Sequence, residues 1–171
     1  MMRHVLRSIL LAAVATTACV TPRRDHLAPQ PIATKMNVYR AEVIHVSILA
    51  RPEQVVGFLA DVHNWKSWAP WVRTVSKSSA RDWMLDTDTG TMTLRFVEAN
   101  SLGVLDHTVT LASGIKVDNS MRVLANGSGS ELEMVVLQKP PATSDEFERD
   151  VQAVRDDFAR IKKVLEAMPQ R

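Results

Sequence analysis

Apolar and polar residues alternate along most of this chain in short runs, and the period lengthens near its end. "VYRAEVIHVSIL" (38–49) is rich in Val and Ile and predicts a long first strand. "ARPEQVVGFLADV" follows, with Pro52 suited to a first helical turn and Val55, Val56 and Leu59 along one side. A second helix must be short, because Pro70 disfavours helix at Ala69 and ends it near Trp68. "VRTVSKSS", "DWMLDT", "TMTLRFVEA", "GVLDHTVTL", "KVDNSMRVLA" and "ELEMVVLQ" then read as six more strands. "SSARD", "DTG", "ASG" and "NGSG" supply the turns, so neighbours in sequence pair antiparallel. Phe147, Val151, Val154, Phe158, Ile161, Leu165 and Met168 recur at spacings of four and three, which predicts one long helix with a single apolar face. Thr143 and Glu146 fit its capping box, and Asp145 with Arg149 and Asp156 with Arg160 fit i,i+4 pairs. The fold class is α+β: a curved, seven-stranded antiparallel sheet around a long C-terminal helix, with two short helices after strand 1.

Alternation also assigns faces. Met92, Leu94, Phe96 and Glu98 share the more apolar side of their strand; Leu105, His107, Val109 and Leu111 share the next, leaving Asp106 outside. Val117, Asn119, Met121 and Val123, then Leu132, Met134 and Val136, complete the inner set. A three-residue loop at 112–114 sets His107 opposite Asn119, and a four-residue loop at 126–129 sets Met121 opposite Met134. Adjacent strand residues point to opposite faces, so Asp106 and His107 cannot form a catalytic pair.

Charge divides the chain. Five of the 21 Lys/Arg and one of the 19 Asp/Glu precede Met36, which leaves the remainder at −2. With no basic stripe interleaved with aromatics, nucleic acid is not an expected partner. At the start, "MMRHVLR" is basic, "SILLAAVATTA" is an apolar run too short to span a bilayer, and Cys19 follows Ala18. Residues 1–19 therefore read as an export signal in which Cys19 resembles a lipoprotein acylation site, although Thr16 stands where such signals carry a Leu-type residue. Residues 20–36 read as a tether interrupted by Pro22, Pro29 and Pro31. The expected location is periplasmic or membrane-anchored through the N-terminus; translation from Met36 would instead give a cytoplasmic protein.

One cysteine allows neither an intramolecular disulfide nor a cysteine cluster, and dispersed His45, His63 and His107 do not form a metal set, so no metal and no cofactor are expected. No phosphate loop, nucleophile elbow or His-Glu-x-x-His helix is present. The polar residues left on the inner face are Glu98, His107 and Asn119, among flexible methionines. Such a surface suits a small-molecule pocket, and it equally suits a packed core in which His107 and Asn119 satisfy one another. Trp65, Trp68 and Trp71, three of the four tryptophans, are a core plug on one reading and a gate or membrane contact on the other.

Ile48, Ala50, Pro52, Val55, Phe58, Leu59, Asp61, Trp65 and Trp68 together resemble the opening motif of the START-like SRPBCC superfamily, with Arg51 a departure after Ala50. The likeness runs over about 38–168, within a domain expected at 37–168. It implies a helix-grip fold with an apolar cavity between sheet and helix, and family members bind lipids, sterols, polyketides or hormones. The residues expected to line that cavity are Trp68, Trp71, Trp83, Phe96, Glu98, His107, Asn119, Met121, Met134 and Phe158. The leading functional expectation is binding of a small hydrophobic ligand by a monomer or weak dimer. A polyketide cyclase-like enzyme using His107 and Glu98 as acid/base groups is the second, and an interaction module with a filled cavity the third.

Overall fold

A computed structural model of the chain describes residues 37–169. The expected export signal with Cys19 and the expected tether fall outside the described residues. The elements are β1 (Ala41–Ile48), α1 (Pro52–Ala60), a 3-10 helix (Val62–Ser67), β2 (Val72–Lys77), β3 (Asp82–Thr87), β4 (Gly90–Phe96), β5 (His107–Thr110), β6 (Lys116–Asn126), β7 (Gly129–Leu137) and α2 (Ser144–Glu166). All seven strands form one antiparallel sheet in the order β1-β7-β6-β5-β4-β3-β2. Only the β1-to-β7 pairing is distant in sequence, and the helical segment after β1 makes it possible by carrying the chain to the far edge. The α+β helix-grip expectation holds.

The two hairpins that set the inner register differ in construction but agree with expectation. Leu111 and Ile115 close the three-residue loop 112–114, where Gly114 takes φ +84°, and His107 faces Asn119. The next turn has two residues, Gly127 (φ +61°) and Ser128, rather than four. Closing the hairpin at Asn126 and Gly129 leaves the register unchanged, so Met121 faces Met134.

α2 lies against β1 and β7. Phe147, Val151, Phe158, Ile161 and Leu165 are buried, Val154 is half-buried, and the Thr143–Glu146 capping box forms in both directions. Two expectations are corrected here. Met168 lies beyond the helix end and is exposed, because nothing continues the helix past Glu166 to hold it on the stripe. Arg160 pairs with Asp157 at 2.7 Å rather than with Asp156, whose carboxylate accepts instead from the Gln152 amide at 2.8 Å. On α1 the apolar side comprises Val55, Phe58 and Leu59, with Val56 only half-buried.

Candidate functional site

The tryptophan stretch is shaped by its backbone. Asp61 caps the 3-10 helix by accepting from the His63 N–H at 3.1 Å, and Pro70 stops helical continuation. A 3-10 helix turns once every three residues, so residues three apart stand one above the other. Trp65 and Trp68 obey this, with ring centroids 5.0 Å apart, and the chain then bends so that Trp71 meets Trp65 edge-on at 6.4 Å. Trp65 also touches Phe96 (6.4 Å) and His107 (6.0 Å) across the inner face of the sheet. It is therefore the hub between the helical segment and the strands.

Each indole N–H meets a different fate. Trp65 donates to the Leu59 carbonyl at 2.9 Å. Trp71, half-buried, lies close enough to the Asp157 carboxyl on α2 to favour its ionised form. Trp68 is 7% exposed, and its buried Nε1 has no hydrogen-bond partner. A buried donor left unpaired costs about 1–3 kcal/mol, so this is an energetic anomaly in an otherwise satisfied cluster.

His107 opens β5 and is also 7% exposed. Its Nδ1 lies 2.9 Å from the Leu105 carbonyl. A carbonyl only accepts, so Nδ1 carries the hydrogen and Nε2 presents a lone pair. Burial pushes the imidazole pKa below its ordinary value despite the opposing effects of the Leu105 carbonyl and Asp106, so the ring is neutral at pH 7. Phe96 packs on it at 5.3 Å, and Nε2 bonds no described residue. Asn119 stands opposite in register and is half-buried, but no hydrogen bond joins the two side chains.

The other expected lining residues divide. Trp83, Phe96, Met121 and Phe158 are buried and Met134 is half-buried. Trp83 sits apart from the Trp65 cluster, between the edge of His63 (5.0 Å) and the Lys77 ammonium (5.0 Å). Glu98 is the correction. β4 ends at Phe96, after which alternation no longer dictates direction, and the Glu98 side chain is 84% exposed beside Arg81 at 3.6 Å. It cannot share a buried substrate with His107.

Asp150 and Asp157 escaped notice in the sequence. They lie one heptad apart on the flank of the α2 stripe, a place where polar residues are ordinary, so the sequence carries no signal that marks them. Burial raises both to about 6; Arg149 opposes this at Asp150, and Arg160 at Asp157. A carboxyl raised above its unfolded value of 3.8 contributes stability that is complete below that value and is lost as pH rises through 6. His107 acts in the opposite direction, losing stability as pH falls below 6.5, so a single variant separates the two. Asp157→Asn keeps an acceptor for Trp71 and removes the titration. Relative to the parent, it should gain about 1 kcal/mol more at pH 7.5 than at pH 5 in urea unfolding, allowing for partial screening by water. An equal difference at both pH values would contradict the raised carboxyl.

No family model matches the chain, and no curated protein matches it in sequence. Solved structures do resemble it. A START superfamily protein from Mycobacterium smegmatis superposes with TM-score 0.61 at 9% identity, covering 74% of this chain and 97% of that one. Aha1 from Colwellia psychrerythraea, determined as a dimer, gives 0.61 at 12% identity over 75% and 97%. DynU16, from the dynemicin biosynthetic locus, gives 0.60 at 14% identity over 74% and 47%. At such identities the likeness is one of fold. Together with the strand order and the clasping C-terminal helix, it establishes that this chain has the START-like helix-grip fold.

Proposed function

We propose that the protein binds one small, mostly apolar molecule between the inner face of the sheet and α2, against Trp68, Phe96, His107 and Met121. The observation that carries this reading is one unmatched nitrogen: the Trp68 Nε1 donor, buried and without a partner on a side chain about nine-tenths buried. Buried polar groups in folded proteins are nearly always paired, so an unpaired donor beside the Trp65 hub, which also meets His107, points to an outside partner. A neutral ligand carbonyl or hydroxyl accepts from Trp68 Nε1, and a hydroxyl also donates to the His107 Nε2 lone pair, without bringing charge into the core. The START superfamily neighbour supports the same reading at the level of fold. Glu98 leaves the cyclase-like alternative without its second acid/base group.

Mass spectrometry of the full chain under gentle conditions should show one added small molecule. His107→Leu should weaken rebinding of that molecule by about fivefold to tenfold, the value of one neutral hydrogen bond. A chain with no added mass, and tryptophan emission unmoved by 2-naphthol, would overturn the proposal. Turnover of a polyketone that disappears in His107→Ala while binding persists would make the protein an enzyme instead.

A further inference from the structure

β6 and β7 do not stay paired along their whole lengths. Their ladder begins at Ser120 opposite Val135. Beyond that point β7 continues through Val136 and Leu137 paired only with β1, while β6 residues 116–119 pair only with β5. The two strands part, and a cavity of about 470 Å³ occupies the gap. Its walls include consecutive residues of each strand: Lys116 and Val117 on one side, Val135 and Val136 on the other. Consecutive strand residues face opposite sides of a sheet, so a space lined by both lies in the opening between the two strands.

On the helix side this passage ends at Asp150 of α2, whose Oδ1 is buried and unpartnered. The connection from β7 to α2, Lys139 to Ala142, closes the rim. Lys116 and Lys139 stand at that rim with no ion-pair partner among the described residues, whereas Asp118 is already engaged by the Thr108 hydroxyl at 2.7 Å. The rim therefore disfavours a cation. The walls are mainly apolar, and the inner end offers one unfilled acceptor.

We propose that this slit is the lateral mouth of the ligand space and a recognition site for an uncharged, hydroxyl-bearing apolar molecule, whose O–H donates to Asp150. The inference rests on the binding reading above and adds to it a route and a polar determinant. An amine would repair the same oxygen, but it would have to pass two ammonium groups. A hydroxyl donates without charge.

The test uses two isomers, 1-octanol and 1-methoxyheptane, which have the same atoms but differ in the O–H donor. Each is titrated into the full ¹⁵N-labelled chain and followed by amide shifts. Octanol should move Val117, Val136, Lys139 and Asp150 and bind about tenfold more tightly than the ether, as expected for a hydrogen bond to a charged acceptor. Asp150→Leu should bring the ratio near one, and Asp150→Asn, which keeps an acceptor oxygen, should retain part of it. Equal binding of the isomers by the parent overturns the proposal, as does an octanol preference that survives in Asp150→Leu. Shifts confined to Trp65, Trp68 and His107 would defeat the slit while leaving the binding reading intact. No shift at either place, with no molecule co-purifying, would defeat both.

Discussion

Trp65→Ala is expected to destabilise the fold by about 4 kcal/mol, near the upper range for emptying a large aromatic site. Trp65 is 4% exposed and touches Trp68, Trp71, Phe96 and His107. Its removal opens a void bordered by four rings, and the Leu59 carbonyl loses the indole donor at 2.9 Å. Those losses compound, because Trp65 is the side chain of the 3-10 helix that meets both Phe96 and His107 on the sheet. Trp65→Phe should lose roughly half as much, since a smaller ring preserves part of the packing and none of the hydrogen bond. Urea unfolding of the full chain measures both. A loss below about 1.5 kcal/mol for the alanine variant would mean that the cluster collapses onto the gap and that Trp65 is not its hub.

The second large effect comes from a residue with no side chain. Gly103→Ala should cost about 3 kcal/mol, although the position lies in a surface connection. Gly103 has φ +71°, and a Cβ there would run into the Val123 carbonyl oxygen. Left-handed backbone alone costs a non-glycine residue about 1–2 kcal/mol, and the collision adds to it. Gly114→Ala provides the comparison: φ is +84°, but nothing lies within 4 Å, so only the conformational part applies and about 1 kcal/mol is expected. Equal losses at the two glycines would refute the steric account. The consequence extends inward. Val123 donates to the Gly103 carbonyl and Leu105 to that of Met121, both at 2.9 Å. The Leu105 carbonyl in turn holds His107 Nδ1, so Gly103→Ala should also weaken ligand binding if His107 contributes to it.

The relation of sequence to site is clearest at three residues. His107 was legible because strand alternation and a three-residue loop leave it one orientation, opposite Asn119. Glu98 was misread because alternation is a property of a running strand, and β4 stops two residues earlier. Asp150 was missed because its significance comes from where α2 lands on the sheet, not from its neighbours in the chain. A polar residue beside an apolar stripe is ordinary until the surface opposite it is known.

Local chemistry was enough to set the elements, their order and the pairing of adjacent strands. Side-chain period, turn residues and caps act over a few positions, and each of them can be read in one dimension. The closure of β1 onto β7, the separation of β6 from β7 and the unmatched indole nitrogen of Trp68 depend on residues tens of positions apart meeting at particular distances. Hydration lost by a carboxyl, or a donor stranded without an acceptor, is set by everything packed around it. For that reason the architecture could be written down from the chain, whereas the chemistry of its interior emerged from the packing.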